Sequence, residues 1–260
     1  MRPMSGVLSR NLGRSVLILP SLITVGSLFA GFLSLISSIR GNYDLSVKYI
    51  ALSFILDGLD GRVARKFNAT SSFGREFDSL CDLVAFGVAP AILAWAWAFS
   101  AEMDELGVLA SFLFVAGGAI RLARFNVTTT AEASSYFTGL PIPAAASCLA
   151  ALVYAYPKAT PTFAVSSMIL IYVIALALFM VSTFPYQSFK KFKIHGIDPI
   201  FLILGLSILV TLIWKFDRVS IPIILFLYAC SGPFLYFKFK VDENDLMEDD
   251  ESEEHAQEIH

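Results

Sequence analysis

The chain has 260 residues, 56% of them hydrophobic, and a mean hydropathy of +0.68. An ordinary soluble domain is about 45–50% apolar, so the composition excludes a single water-soluble globule. The formal net charge of −3 lacks the basic excess that marks a nucleic-acid binder.

The apolar excess falls in discrete runs, each long enough to cross a hydrocarbon core of about 30 Å as a helix. Eight spans are predicted, at about 16–38, 45–65, 79–99, 105–125, 140–156, 163–185, 198–214 and 219–237. The fold class that follows is an all-α integral membrane protein. Residues 1–240 form one transmembrane domain, and residues 241–260 form an acidic tail that reads as disordered. Arg2, Arg10 and Arg14 resemble the start of a signal peptide. The apolar run behind them continues to Ser38 without an A-x-A site, so it reads as a first span. The fifth span opens at Pro141 and Pro143, where proline costs least in a helix.

Loop charge sets the orientation. With the N-terminus in the cytoplasm, all but five of the 19 Lys and Arg residues fall on that side, leaving Arg40, Lys48, Lys158, Lys215 and Arg218 opposite. The stretch Lys190-Lys191-Phe192-Lys193-Ile194-His195 reads as an interfacial basic segment. Cys81, Cys148 and Cys230 are scattered in apolar segments without metal-ligand spacing and read as small apolar residues. No internal repeat pairs the two halves, as inverted-repeat transporters would show.

The second and third spans carry acids: Asp57-Gly58-Leu59-Asp60-Gly61-Arg62-Val63-Ala64-Arg65, then Gly74-Arg75-Glu76-Phe77-Asp78-Ser79-Leu80-Cys81-Asp82. A charge near the bilayer centre costs about 2.5–3.5 kcal/mol on insertion scales, so acids there face a cavity, pair with cations or bind metal. On helices, Asp57, Asp60, Gly61 and Ala64 share one stripe, and Gly74, Asp78 and Asp82 share another. Two facing stripes would bring four carboxylates into one small volume. Hard divalent cations relieve that repulsion, and Mg²⁺, Mn²⁺ or Ca²⁺ suit oxygen ligands where Zn²⁺ does not. Gly61, Ala64 and Gly74 leave room for an anionic group, and Arg65 offers a cation suited to phosphate. The combination suggests pyrophosphate chemistry with a metal pair. The rival reading is a set of helix-end acids paired with Arg62, Arg65 and Arg75.

The full pattern, D-x-x-D-G-x-x-A-R-x8-G-x-x-x-D-x-x-x-D, resembles the signature of the CDP-alcohol phosphotransferases, with Asp57, Asp60, Gly61, Ala64, Arg65, Gly74, Asp78 and Asp82 in their places. The resemblance implies a helical membrane enzyme that moves a phosphatidyl-type group from a CDP-linked lipid to an alcohol and releases CMP. It implies that Asp57, Asp60 and Asp78 bind two divalent metal ions, and that Asp82 both touches metal and acts as general base. Gly61, Arg65 and Ser71 would contact the CDP part, with Ala64 and Gly74 lining it. Pro20-Ser21-Leu22-Ile23-Thr24 resembles the family's P-N-x-x-T stretch, with Ser21 in place of Asn, so Thr24 would lie against the nucleotide.

Three further segments resemble phosphatidylserine synthases of the integral-membrane type: Phe86–Ala91, Gly118–Asn126 and Phe137–Ala146. The donor would be CDP-diacylglycerol and the acceptor L-serine. Serine's carboxylate needs a cation, and Arg121 and Arg124 lie three apart at the predicted cytoplasmic end of the fourth span. Either can hold that carboxylate or the lipid phosphate, or serve as a membrane anchor. Asn126 can donate to a ligand or cap the helix. The Gly139-Leu140-Pro141-Ile142-Pro143 segment is a hinge, a ligand-lining turn or a helix start. Rival readings are a sibling enzyme using glycerol 3-phosphate, inositol phosphate or CDP-archaeol, a cation transporter using the acids as a relay, and a membrane scaffold. The resemblance also implies a homodimer, and Gly26, Ala30 and Gly31 would let helices pack closely. The expected location is the cytoplasmic membrane, with the acids on the cytoplasmic side and membrane lipids as neighbours.

Overall fold

A computed structural model describes residues 5–66, 72–101, 103–128, 136–158, 161–187, 215 and 218–237, with side chains from residue 21 onward except 64, 65, 128, 136, 137 and 187. The predicted span at 198–214, the basic segment at 190–195, Ser71 and the acidic tail lie outside the described residues. Seven helices and one short strand pair make up the rest. They are α1 (Ser5–Ile39), α2 (Tyr43–Lys66), α3 (Ser72–Phe99), α4 (Asp104–Thr128), β1 (Tyr136–Thr138), α5 (Ile142–Ala155), α6 (Phe163–Val181), β2 (Pro185–Gln187) and α7 (Arg218–Phe237).

Five of the helices are long and apolar enough to cross a membrane: Ser21–Ile39 of α1, α3, Asp104–Val127 of α4, α6 and α7. They mark a helical, multi-pass membrane protein. Two predicted spans differ from these five in kind. The second half of α2 carries Asp57, Asp60, Arg62, Arg65 and Lys66, so it is long but polar. The α5 helix is apolar but only 14 residues long.

The α1–α2 hairpin closes through Gly41, whose φ of +73° few side chains tolerate. Gly41 N–H donates to the Ser38 carbonyl and Asn42 N–H to the Ser37 carbonyl, which caps α1. A ladder of hydroxyls joins the two helices. The Ser27 and Ser53 oxygens lie 2.7 Å apart, those of Ser34 and Ser46 2.7 Å, and those of Ser38 and Ser46 2.8 Å. Small hydroxyl residues let the backbones approach and satisfy one another where water is absent.

The bundle closes around α3. A Cβ on Gly31 would stand 2.8 Å from Ala85 Cα, so α1 meets α3 backbone to backbone. A Cβ on Gly117 would meet the Ala177 carbonyl at 2.9 Å, so α4 lies as close to α6. Within α3 the helix widens into π-helical turns at Leu83–Val88, directly after Asp82, and again at Trp95–Phe99. Such turns rotate the residues on either side relative to a regular helix. The core comprises Phe86, Phe99, Phe114, Leu140, Ile142, Leu149, Val173, Leu176, Met180 and Tyr186, all fully buried. The cysteines are unpaired thiols, and Cys81 and Cys148 are buried as small apolar groups.

Two details depart from the sequence expectation. A short antiparallel pair interrupts the all-α pattern, with Tyr136 opposite Gln187 and Thr138 opposite Pro185. The sixth helix ends at Val181, short of the predicted 185, because the chain turns into β2 there. The corner before α5 fits against that end. Gly139 N–H donates to the Phe184 carbonyl at 2.9 Å and Leu140 N–H to the Phe179 carbonyl at 3.0 Å. Pro141 occupies the N-cap position of α5, and Pro143 lies in its first turn, so the helix-start reading of this segment describes it well.

Gly139 has a φ of +78°, and an added Cβ would stand 2.5 Å from the Met180 carbonyl oxygen and 2.6 Å from Arg124 Nη2. Gly139→Ala is therefore expected to destabilise the protein by about 2–4 kcal/mol. Thermal unfolding in detergent, followed by tryptophan fluorescence, should show the midpoint falling by roughly 2–4 °C per kcal/mol. Gly26→Ala serves as control, since the nearest atom to its Cβ is Leu56 Cδ1 at an ordinary 3.5 Å. Equal midpoints for the two variants would refute this account of the corner.

Candidate active site

Three helices supply the site. Asp57 and Asp60 lie one turn apart on α2, and Asp78 and Asp82 lie one turn apart on α3. One carboxylate oxygen from each of Asp57, Asp60 and Asp78 lies within 4.8 Å of the other two. Asp82 joins through Asp57, whose carboxyl is within side-chain hydrogen-bond reach of its own. Thr24 arrives from α1, and its hydroxyl donates to the Asp60 carboxylate, which also accepts from the Gly61 backbone N–H.

Asp60 is the most enclosed of the four, with 5% of its surface exposed, and its Oδ2 has no hydrogen-bond partner among the described residues. A buried carboxylate oxygen left bare costs free energy on the order of 1–3 kcal/mol or more. Two other carboxylates stand within 4.8 Å, and ionised carboxylates only accept, so what the cluster lacks is positive charge. The donor set is oxygen only, and it fits hard divalent cations. At Gly58 an added Cβ would meet nothing within 4 Å, which leaves the adjoining face of α2 open.

The remaining predicted site residues divide into several groups. Gly61 and Gly74 lie half-buried beside the carboxylates on α2 and α3. Ala64 and Arg65 continue α2 by one turn past Gly61. Arg121, on α4, is 8% exposed. Its guanidinium lies 5.6 Å from the Phe125 ring centre and within electrostatic reach of Asp82 and Tyr228. Its Nε has no hydrogen-bond partner among the described residues.

Arg124, the second predicted cation on α4, reaches backbone carbonyls. Its Nη1 donates to the Val181 carbonyl at 2.9 Å, and its Nη2 to the carbonyls of Thr138 at 2.9 Å, Ser182 at 3.1 Å and Met180 at 3.4 Å. The fork of donors thus caps the C-terminal end of α6, where bare carbonyls attract a cation, and ties β1 to it. Asn126 braces α4 against α3: its Nδ2 donates to Ser79 Oγ at 3.0 Å and to Glu76 Oε2 at 3.3 Å.

Tyr228 is a neighbour that the sequence does not reveal. It comes from α7, partly buried, and its ring centre lies 5.8 Å from that of Tyr186. A single tyrosine in an apolar span carries no spacing signal. Only the packing of α7 on β2, with the Tyr186 hydroxyl donating to the Ala229 carbonyl at 2.9 Å, brings it near Arg121.

Comparison with known proteins adds to this geometry. A family profile described as CDP-alcohol phosphatidyltransferase matches residues 17–184. A CDP-diacylglycerol–serine O-phosphatidyltransferase of Helicobacter pylori (strain ATCC 700392 / 26695) is 40% identical over 179 residues, covering 67% of this chain and 73% of its own. The protein of that name from Bacillus subtilis (strain 168) is 34% identical over 180 residues, covering 69% of this chain and 96% of its own. An archaetidylserine synthase of Methanothermobacter thermautotrophicus is 41% identical over 136 residues, covering 51% and 56%. The matched region holds all four aspartates, Thr24, Arg121 and Arg124. The transporter and scaffold readings fall away, and the chain belongs to the CDP-alcohol phosphatidyltransferase family.

Proposed function

We propose that this protein transfers the phosphatidyl group of CDP-diacylglycerol to the hydroxyl of L-serine, releasing CMP and forming phosphatidylserine. The observation that carries this reading is the meeting of the Asp57, Asp60 and Asp78 carboxylates within 4.8 Å, beside a buried arginine on α4. The names of the relatives support the acceptor. The archaetidylserine synthase likeness keeps serine while changing the lipid of the donor, so CDP-archaeol is the alternative donor to test.

Asp57, Asp60, Asp78 and Asp82 would hold the divalent ions, Mg²⁺ or Mn²⁺. When bound, such ions neutralise pyrophosphate charge and polarise its phosphorus–oxygen bonds. The Thr24 hydroxyl fixes the Asp60 carboxylate, so α1 helps to orient the acid that has a bare oxygen. Arg65 offers its cation to the CDP phosphates, Ser71 a hydroxyl, and Gly61, Ala64 and Gly74 the room for them. Asp82 accepts the proton of the serine hydroxyl. The serine oxygen then bonds to the phosphorus that bears the diacylglycerol, and the bond from that phosphorus to the CMP oxygen breaks, its electron pair leaving with CMP. Arg121 holds the serine carboxylate through the Nε edge that has no partner among the described residues. Arg124 keeps α4 and α6 in register without touching substrate.

On this reading residues 1–240 are the catalytic domain, with eight spans and the carboxylates at the cytoplasmic face of the cell membrane. Two copies pair through close-packed helices. CDP-diacylglycerol enters sideways from the leaflet, its chains still in lipid, and serine comes from the water.

Three outcomes test the proposal. Purified protein with CDP-diacylglycerol and Mg²⁺ or Mn²⁺ should release CMP with L-serine in preference to glycerol 3-phosphate, inositol phosphate or water. A preference for another acceptor would reject the serine assignment. Asp82→Asn should cut kcat by about 10²–10⁴-fold while CDP-diacylglycerol still binds. Arg121→Gln should raise the KM for serine on the order of 10²-fold, whereas Arg124→Lys should lower the melting temperature and leave that KM alone. If Arg124→Lys is the variant that weakens serine, the two arginine roles are reversed. Separately, Asp60→Ala should abolish Mn²⁺ binding seen by electron paramagnetic resonance, a measurement that needs no turnover.

A further inference from the structure

A cavity of about 920 Å³ opens at the opposite end of the bundle from the carboxylates, between the α1–α2 turn, the C-terminal end of α5 and the start of α7. Asp44 on its rim and Asp60 both lie on α2, so the two sites are about 24 Å apart along that helix. Lys158 and Arg218 line it. These are two of the five Lys and Arg residues that the sequence places on the side where loops carry few cations.

Among the described residues, the charges in this cavity do not cancel. Its acid, Asp44, is paired with Lys48. Among the described residues, neither Lys158 nor Arg218 has a carboxylate within ion-pair distance. Arg218 is steadied instead by the Tyr154 ring, its guanidinium 5.9 Å from the ring centre. The Tyr43 hydroxyl is turned away, donating to the Ala96 carbonyl at 2.8 Å. Leu45 and Pro157 give the wall an apolar component. Trp97 Nε1 donates to the carbonyl of Tyr156 in the cavity wall at 3.2 Å.

We propose that this cavity seats the headgroup of an anionic phospholipid, with its phosphate between Lys158 and Arg218 and its glycerol against Leu45 and Pro157. A free phosphate ion would use the same two cations but gain nothing from the apolar wall. The seat is independent of the transfer reaction and far from its carboxylates, so either proposal can fail without the other.

The test titrates purified full-length protein in detergent with phosphatidylglycerol, counting bound lipid by native mass spectrometry. Inorganic phosphate is titrated in parallel by calorimetry. Each interfacial cation is worth about fivefold, so Lys158→Ala combined with Arg218→Ala should weaken phosphatidylglycerol binding roughly 30-fold. The charge-keeping pair Lys158→Arg and Arg218→Lys should retain it, and unchanged melting of both variants establishes that they are folded. Undiminished lipid binding by the alanine pair overturns the proposal. So does phosphate binding as tight as lipid binding, because a soluble anion would then be the natural occupant.

Discussion

Carboxylates gathered inside an apolar bundle must be oriented and compensated, and much of this architecture answers that demand. Four acids on two neighbouring helices repel one another, and the cost grows as water is withdrawn. Thr24 and the Gly61 N–H supply hydrogen bonds to Asp60, the most buried of the set. Arg121 supplies positive charge from the side of Asp82. Among the described residues, the Asp60 Oδ2 and the Arg121 Nε are buried without a hydrogen-bond partner. A native fold seldom wastes a buried acceptor, and a carboxylate clustered with two others suits a hard divalent ion.

Holding those groups to within an ångström or so requires helices that cannot slide, and small residues provide this. The serine ladder fixes the rotation and register of α1 against α2, and thereby sets Thr24 against Asp60. Gly31 against Ala85 docks α1 on the span that bears Asp78 and Asp82, and Gly117 against Ala177 docks α4 on α6. These contacts replace the hydrophobic drive that is missing between helices in lipid with close packing and hydrogen bonds. The π-helical turn that begins at Leu83 follows immediately after Asp82. The acid therefore projects from a regular turn, while the apolar remainder of α3 is rotated to meet the core through Phe86.

Much of this was legible in the sequence, and the parts that were not have a common cause. The three- and four-residue spacings of Asp57, Asp60, Asp78 and Asp82 are local, and helical periodicity alone puts each pair on one face. Five of the predicted spans were legible because apolar length is also local. The carbonyl contacts of Arg124 were not, since its acceptors at Thr138, Met180, Val181 and Ser182 lie on elements distant in sequence, and a backbone carbonyl has no sequence signature. Tyr228 was hidden for the same reason. The β1–β2 pair was missed because three-residue strands in a loop leave too little pattern to read. The end of α6 was overestimated because hydropathy continues through Phe184 while the helix does not.

The division of labour between the two arginines bears on the choice of acceptor. Both were candidates for an anion site, and two adjacent free cations would suit a phosphorylated alcohol, whose phosphate carries close to two negative charges. The Arg124 guanidinium is spread over the end of α6, where Nη1 and Nη2 donate to carbonyls and its charge offsets the helix terminus. Arg121 is the guanidinium with an Nε left over in the enclosed space beside Asp82. One planar cation matches one planar carboxylate through paired hydrogen bonds. On the proposed reading serine fits this arrangement: its carboxylate would face Arg121, its ammonium would be tolerated near the acids, and its hydroxyl would be left to Asp82.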